Sequence, residues 1–179
     1  MIITISGPPG SGKTTVGRLL AEKLGYEFIS TGMVFRDMAE ERHMSLAEFG
    51  QLASENHDID LELDKRIVAI ALDRKRIVLE GRLAGHMLHL NGIKSFKVWI
   101  DATMHTRATR IAGREGKTPE QTEAEIAVRE LCEQERYRSI YGIDSKSLAV
   151  YDHVVISDEM KPEQIVDEII AVREAKSDV

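Results

Sequence analysis

A glycine-rich segment near the start of the chain carries the strongest chemical signal. Residues 7–14 read G-P-P-G-S-G-K-T, which fits the G-x-x-x-x-G-K-[ST] pattern of a phosphate-binding P-loop. Glycines let the backbone curl around a triphosphate so that N–H groups meet its oxygens. Lys13 then reaches the β and γ phosphates, and the Thr14 hydroxyl ligates Mg²⁺. The predicted nucleotide contacts are Gly7, Pro8, Pro9, Gly10, Ser11, Gly12, Lys13, Thr14 and Thr15.

The residues on either side of this loop support the prediction. Residues 1–6 form a short apolar run with β-branched side chains, which indicates a buried strand. After the loop, Val16, Leu20 and Leu24 recur at helical spacing, and Gly25 is a suitable C-cap. The helix would direct its positive N-terminal end at the anion. Strand, glycine loop and helix therefore follow in the order that a P-loop requires.

The positions of the apolar runs predict an α/β fold. Five candidate strands, separated by helical patterns, lie at residues 1–6, 26–30, 77–80, 95–100 and 153–156. Strands that alternate with helices indicate a five-stranded parallel sheet with helices on both faces. Ligands in such folds bind at the carboxyl ends of the strands, so the loops after Ser6, Ser30 and Glu80 are the expected site.

Two helical regions complete the predicted framework. The long insertion at residues 31–76 carries a helical signal, with Leu61, Lys65 and Val68 on one face. The last helix is expected to begin near Pro162 and to direct Ile165 inward.

Length, composition and charge exclude several classes of protein. The chain has 179 residues, 42% of them hydrophobic, which suits a single domain over residues 1–179. A formal net charge of −6 argues against a nucleic-acid-binding protein. The sequence lacks an apolar stretch long enough to span a membrane, and its single cysteine, Cys132, cannot form an internal disulfide. We therefore expect a cytoplasmic monomer.

Two strand-end loops carry residues suited to an anionic acceptor. Thr31 and Gly32 follow the second strand at a plausible helix start, and Arg36 lies one turn further on. Gly81 and Arg82 follow the third strand directly after Glu80, an acid that could orient Mg²⁺ through water. An ordinary N-cap and two solvated arginines are the alternative for these segments.

A third basic cluster begins in the region after the fourth strand. Arg107, Arg110 and Arg114 share one helical face, and Arg129 and Arg136 follow. Arginines bind phosphate oxygens with two parallel hydrogen bonds, so the cluster could clamp a transferred phosphoryl group. The alternative is a solvated basic stripe paired with nearby glutamates.

The sequence offers no obvious general base beside these arginines. A kinase that acts on an alcohol needs a group to accept the hydroxyl proton, whereas an acceptor phosphate is already anionic near neutral pH. The residues therefore favour a phosphate acceptor over an alcohol.

Taken together, these motifs resemble the nucleoside monophosphate kinases, and in particular the short archaeal type of cytidylate kinase. The likeness covers nearly the whole chain: the P-loop, S-T-G-M-V-F-R at 30–36, L-E-G-R at 79–82, R-I-A-G-R at 110–114 and R-Y-R-S-I-Y-G-I-D at 136–144. It implies phosphoryl transfer from ATP to CMP or dCMP, an NMP-binding insertion at 31–76 and a short lid near 113–128. Acceptor contacts would come from Thr31, Gly32, Arg36, Gly81 and Arg82, and catalytic contacts from Lys13, Arg110, Arg114, Arg129 and Arg136.

Other readings of the sequence remain open at this point. Shikimate kinases share the P-loop and the length, but they typically place a further Asp after the second strand and a glycine triplet after the third. An adenylate kinase would differ only in the base pocket. A regulatory ATPase that binds nucleotide without transferring phosphate is a further alternative, whereas a GTPase switch would carry an N-K-x-D motif, which this sequence lacks. Residues that read the base are not evident, and His86, Asp60 and Asp64 are weak candidates.

Overall fold

The five predicted strands form one parallel sheet in the computed structural model, which describes residues 1–177. The strands are β1 (Ile2–Ser6), β2 (Glu27–Ser30), β3 (Ile77–Glu80), β4 (Phe96–Asp101) and β5 (His153–Ile156). The helices along these residues are α1 (Lys13–Leu24), α2 (Thr31–Glu41), α3 (Leu46–Glu55), α4 (His57–Asp73), α5 (Ala84–Leu90), α6 (Met104–Glu115), α7 (Pro119–Tyr141) and α8 (Pro162–Ser177).

The order of the strands places the predicted loops at one edge of the sheet. The order is β2-β3-β1-β4-β5, and all four pairings are parallel. Glu80 at the end of β3 pairs with Ile5 of β1 on one side and with Ser30 of β2 on the other. Ser6 pairs with Trp99 of β4. The loops after β1, β2 and β3 therefore open at the same level.

Alternate residues of the strands supply two separate cores, one on each face of the sheet. Ile2, Ile77 and Leu79 pack with buried residues of α2, α3, α4 and α5. Ile3 and Val78 point to the opposite face and pack with α1 and α8. Since both faces of the central strands are covered, β1 and β3 carry consecutive buried residues, as expected of a parallel sheet, whereas the edge strand β5 leaves Val154 and Ile156 exposed.

The helical predictions are confirmed, with one difference in α4. Gly25 ends α1 in the left-handed conformation, and α8 begins at Pro162 with Ile165 buried. In α4, however, Leu61 and Lys65 are exposed, and the buried stripe runs through Ile59 and Ile67. The predicted face contains Lys65. The buried face instead carries Ile59 and Ile67, which lie in the same core as Ile77 and Leu79 of β3.

The insertion at 31–76 is entirely helical apart from short connections, and consists of α2, α3 and α4. The segment near 113–128 contains the end of α6, the turn at 116–118 and the first turns of α7. Their roles as an NMP-binding region and a lid stay predictions. Within residues 1–177, no helix is both long enough and apolar enough to cross a membrane. Residues 178–179 of the predicted domain lie outside the described residues.

Two helical glycines give a matched test of this packing. A Cβ on Gly85 of α5 would lie 2.5 Å from a ring carbon of Tyr151, whereas a Cβ on Gly113 of α6 would meet no atom within 4 Å. We expect Gly85→Ala to lower the free energy of unfolding by about 1–3 kcal/mol through overpacking. Gly113→Ala should raise it by about 0.5–1 kcal/mol, because alanine favours the helix.

Urea unfolding followed by circular dichroism measures both changes. Equal effects of the two substitutions would mean that Tyr151 does not pack against α5 as described.

Candidate active site

The P-loop is held in place by its neighbours as well as by its own turns. Gly7 and Gly10 have positive φ angles of 150° and 80°. A Cβ on Gly7 would lie 2.1 Å from the carbonyl oxygen of Ile100, and one on Gly10 would lie 2.6 Å from that of Arg107. Only glycine allows both this conformation and this approach. The loop therefore packs directly against β4 and α6.

The loop leads into α1 in a way that leaves an anion site open. Gly12 is the N-cap of α1 and supplies no side chain to its first N–H groups. These groups and the positive end of the helix suit a phosphate. Lys13 is buried beside them, and its Nζ donates a hydrogen bond to the Pro8 carbonyl at 2.9 Å. Burial, assisted by the positive charge of Arg82, lowers the pKa of Lys13 to about 8.

Thr14 and Glu80, the two residues predicted to serve Mg²⁺, come together across the sheet edge. Thr14 Oγ1 donates a hydrogen bond to Glu80 Oε2 at 3.4 Å. Glu80 is buried at the end of β3, next to the P-loop strand. A hydroxyl and a carboxylate are oxygen donors of the kind that Mg²⁺ prefers, and Mg²⁺ usually completes its shell with water and substrate phosphates. The residues present therefore fit the predicted metal.

Three of the predicted catalytic arginines line one cleft with the P-loop. This P-loop cleft has a volume of about 490 Å³ and is bordered by residues 9–16, Arg110, Arg114 and Arg129. Arg110 donates to the Ser157 carbonyl at 2.7 Å and to its hydroxyl at 3.0 Å. Ser157 in turn donates to the Ser11 carbonyl at 3.0 Å. Arg110 is thus anchored to the loop, and the cleft presents three positive charges to a bound polyanion.

Two residues support the loop: Arg107, which the sequence placed in the basic cluster with a different role, and Ser157, which it did not single out. Arg107 is buried, donates to the carbonyl of Pro9 at 3.2 Å and lies 2.5 Å from the carboxylate of Glu130. Ser157 is likewise buried between Arg110 and the loop. The sequence placed Arg107 on the same helical face as Arg110, but only the packing of α6 against the loop shows that it binds backbone carbonyls. Ser157 gave no sequence signal.

Arg82 lies where two further cavities meet. The central cavity, of about 330 Å³, is bordered by Gly7, Pro8, Arg82, Arg107 and Tyr137. The insertion cavity, of about 230 Å³, lies between the helical insertion and α7, and Arg82 borders it as well. The Arg82 guanidinium forms an ion pair with Glu133, and burial lowers its pKa. Arg82 can therefore face both the P-loop and a molecule in the insertion cavity.

The other predicted acceptor residues are only partly brought together. Thr31 borders the insertion cavity, and a Cβ on Gly81 would lie 2.4 Å from the Thr31 side chain. Gly32 is exposed in the first turn of α2, whose N-cap is Ser30. Arg36 is exposed and borders a separate shallow groove. Its contact with an acceptor phosphate stays a prediction.

Arg136 also lies away from the P-loop cleft. It borders the insertion cavity from α7, and its Nε lies 3.6 Å from Asp60 Oδ2 of α4. Asp64 borders the same cavity and accepts a hydrogen bond from the Tyr141 hydroxyl. Burial, reinforced by the charge of Asp60, raises the pKa of Asp64 to about 7. The structure thus groups Arg136 with the two candidate base-reading aspartates.

His86, the third candidate for reading the base, is placed elsewhere. It is buried in α5, and its Nδ1 lies 3.0 Å from the Tyr151 hydroxyl. Burial lowers the pKa of His86. Among residues 1–177 it borders none of the three cavities described above, and its ring packs edge-on against that of Tyr151.

A P-loop at the edge of a five-stranded parallel sheet, with arginines converging on it, defines a P-loop kinase. Solved structures share this fold. A shikimate kinase from Bacteroides thetaiotaomicron has a TM-score of 0.66 at 15% identity and covers 100% of this chain and 99% of its own. A shikimate kinase from Aquifex aeolicus has a TM-score of 0.65 at 20% identity, and the match covers 99% of this chain and 98% of that protein. At these identities, the likeness concerns the fold alone.

Sequence comparison identifies the family. The model of the cytidylate kinase-like family matches residues 2–159. The cytidylate kinase of Halobacterium salinarum is 46% identical over 170 residues, which is 95% of this chain and 88% of that protein. The cytidylate kinase of Methanococcoides burtonii is 48% identical over 157 residues, 88% of this chain and 87% of its own. The chain belongs to the cytidylate kinase-like family, as its motifs predicted.

The lowered pKa of Lys13 gives a pH-dependent prediction. The pKa of about 8 in the free protein will rise when triphosphate oxygens surround the ammonium, because a nearby anion favours the charged form. Binding of ATP near pH 8 should therefore take up a fraction of a proton, and the affinity should fall as the pH rises above about 8. Isothermal titration calorimetry in two buffers of different ionisation enthalpy measures the uptake.

Lys13→Arg is the matched control for this experiment. It keeps a positive charge that does not titrate below about pH 12, and the terminal phosphate of ATP, with a second pKa of about 6, is ionised in both experiments. The uptake should vanish in the variant. Equal uptake by both proteins would place the titrating group elsewhere.

Proposed function

We propose that this protein is a cytidylate kinase, which transfers the γ-phosphoryl group of ATP to CMP or dCMP and releases ADP and CDP or dCDP. The observation that carries the proposal is its match to proteins named cytidylate kinase at 41–48% identity over most of their length. The geometry adds a P-loop cleft for one polyanion and an adjoining pair of cavities for another.

The residues of the P-loop cleft would bind the donor and the transferred group. The loop amides and Lys13 hold the phosphates of ATP, while Arg110, Arg114 and Arg129 face the γ-phosphoryl group. Bound Mg²⁺, held by Thr14 and oriented by Glu80 through water, would neutralise charge that develops on the phosphate oxygens. Such positioned charges account for most of the catalysis in phosphoryl transfer.

The acceptor needs no general base under this proposal. An oxygen of its phosphate, already anionic, forms the new bond to the γ-phosphorus, while the bond to the bridging oxygen of ADP breaks. Arg82 is placed to hold this acceptor phosphate because it borders both the central cavity, next to the loop, and the insertion cavity. Because Arg82 and Lys13 are largely buried, the site differs from a solvated patch of basic side chains.

Several parts of the proposal come from the sequence alone. These are movement of the lid near 113–128, the contact of Arg36 with the acceptor phosphate, the dependence on Mg²⁺, a cytoplasmic location and a monomeric state. The exposed position of Arg36 is compatible with such a role only if the insertion moves on binding.

A coupled assay with ATP and Mg²⁺ tests the acceptor directly. With CMP, dCMP, UMP, AMP, GMP and shikimate offered separately, we expect CMP and dCMP to be used far better than the others. A pocket built to hydrogen-bond one base can discriminate by about 10⁴-fold in kcat/KM. AMP used as well as CMP would replace the proposal with an adenylate kinase, and phosphorylation of shikimate alone would overturn the phosphate-acceptor argument.

The two arginine sites predict different kinetic effects. Arg114→Ala, in the P-loop cleft, should lower kcat by about 10²-fold or more with little change in KM for CMP, because the charge on the moving phosphoryl group is greatest in the transition state. Arg82→Ala should raise KM for CMP by at least about tenfold, since it removes binding of the acceptor.

Arg138→Ala is the control, because Arg138 is an exposed arginine on α7. It should leave both constants within about twofold of wild type. A reversed pattern for Arg82 and Arg114 would exchange the roles of the two sites.

A further inference from the structure

A chain of hydrogen bonds to which the transfer step gives no role connects three segments of the fold. The amide of Gly85 donates to Ser6 Oγ at 3.1 Å, and the Ser6 hydroxyl donates to the oxygen of Tyr151. The Tyr151 hydroxyl lies 3.0 Å from Nδ1 of His86, whose ring also hydrogen-bonds with the backbone of Ser147. Ser6 and His86 are buried. The chain therefore joins β1, α5 and the connection at 142–152 between α7 and β5.

The chemistry of the groups fixes the direction of this chain. The backbone bond with Ser147 raises the pKa of His86, which is the effect of a carbonyl that accepts from the ring. The ring hydrogen is therefore on the nitrogen that faces Ser147, and Nδ1 accepts from the Tyr151 hydroxyl. Burial raises the pKa of Tyr151, so this hydroxyl stays protonated and able to donate. Every group from Gly85 onward donates to the next one.

The members of the chain hold segments that border the central cavity. Ser6 directly precedes the P-loop, and it holds the first turn of α5, which begins two residues after Arg82. At the other end of the chain, Ser147 and Tyr151 lie on either side of Leu148. The P-loop, Arg82 and Leu148 all border the central cavity. The chain therefore sets the positions of three walls of this cavity relative to one another.

Ring packing keeps the Tyr151 hydroxyl in its place. The ring centroids of Tyr151 and Trp99 lie 5.1 Å apart, and those of Tyr151 and His86 lie 5.3 Å apart with the rings edge-on. A Cβ on Gly85 would lie 2.5 Å from the Tyr151 ring, so the helix is also in close contact with it. The ring is thus packed from several sides, and its hydroxyl is directed at fixed partners.

We propose that Tyr151 and His86 are positioning residues that hold the walls of the central cavity at the spacing the acceptor needs. The inference rests on the proposed function, under which Arg82 holds the acceptor phosphate beside the P-loop. Among residues 1–177, those that border the three cavities do not include Tyr151 or His86, so both act through the segments they join. Small displacements of a bound acceptor oxygen slow transfer strongly, so the spacing of these walls matters for the reaction.

A positive charge on His86 would interrupt the chain. An imidazolium carries a hydrogen on both nitrogens, so Nδ1 could no longer accept from Tyr151. Burial lowers the pKa of His86, and His89 of α5 lowers it further, whereas Asp144 of the connection raises it. Because the folded protein disfavours the protonated ring, the chain is intact at pH 7 and is lost as the pH falls below about 6.5 and through the lowered pKa.

A set of contacts that only stabilises the fold is the alternative. Loss of such contacts would reduce the fraction of active enzyme, which lowers kcat and leaves the KM of both substrates unchanged. A misplaced wall of the central cavity changes the KM for the acceptor instead. The KM values of CMP and ATP therefore separate the two possibilities.

The principal test is Tyr151→Phe, which removes the hydroxyl and keeps the ring. We expect KM for CMP to rise at least about fivefold, because the chain is broken on both sides of the missing oxygen, while KM for ATP stays within about twofold. Tyr26→Phe is the matched control, since Tyr26 is half-buried and directly precedes β2, at the amino end of the strand. It should match wild type. A wild-type KM for CMP in a folded Tyr151→Phe variant overturns the inference.

The pH dependence of KM tests the other residue. His86→Asn keeps an oxygen that can accept from Tyr151 but carries no group that titrates. The phosphate of CMP titrates near pH 6 with both enzymes, so its effect cancels from the ratio of their KM values. The ratio of wild type to His86→Asn should rise at least about threefold between about pH 7.5 and about pH 5.5. A ratio that does not change with pH overturns the role of His86.

Nitrogen-15 NMR of the histidine rings in wild type examines the chain without an activity assay. The signals of His86, assigned by their absence from His86→Asn, should show a neutral ring at pH 7 with its hydrogen on Nε2. A hydrogen on Nδ1 overturns the inference. If wild type phosphorylates no nucleoside monophosphate, the proposed function itself fails. If it uses CMP but Tyr151→Phe has the wild-type KM, only the positioning role fails.

Discussion

The close approach of the P-loop to its neighbours is the constraint on which the rest of the site depends. Gly7 lies against the backbone of Ile100, and Gly10 lies against that of Arg107. The loop can adopt its shape only while β4 and α6 keep these positions. Arg107 strengthens this arrangement because it joins the Pro9 carbonyl to Glu130 of α7. The conformation of the phosphate-binding loop is therefore set by the packing of the whole sheet edge and not by its glycines alone.

Charge pairing explains how an acidic chain can hold a site for polyanions. The net charge is −6, yet the carboxyl edge of the sheet collects arginines. Burial of an unpaired charge is costly, and three arginines here have carboxylate partners: Arg82 with Glu133, Arg107 with Glu130 and Arg136 with Asp60. Helix α7 contributes a residue to every one of these pairs.

The sequence predicted what depends on local pattern. Apolar runs located all five strands within one residue of their observed bounds, and the P-loop motif located Lys13 and Thr14 beside Glu80. Predictions of which cavity a side chain would border were less accurate. Arg136 was grouped with Arg129, but seven residues of helix separate them by about 10 Å along its axis, which is enough to place them in different cavities.

The sequence also does not show which way a side chain faces in the folded protein, and this applies to Arg36, Arg107 and Ser157. Arg36 follows β2 as predicted, but Val34 and Met38 occupy the buried face of α2, so the arginine is turned outward. Arg107 and Ser157 support the loop through backbone carbonyls, and a pattern of side chains in a sequence contains no information about such contacts. Sequence reasoning therefore placed Arg107 in the basic cluster but did not show that it and Ser157 hold the loop through backbone carbonyls.

The arrangement of the three cavities connects the selectivity for the acceptor base with the rate of phosphoryl transfer. Arg82, Leu83 and Tyr137 border both the central and the insertion cavity. Under the proposed function, the acceptor nucleotide would lie across the two cavities with its phosphate toward the P-loop. Transfer requires the attacking oxygen to lie in line with the γ-phosphoryl group, and small displacements of that oxygen slow the reaction strongly. Under the proposed function the acceptor nucleotide has a fixed length, so a base that fits poorly in the insertion cavity would displace the phosphate at its other end. Recognition of the base then acts on kcat as well as on binding, without a separate signal between the two sites.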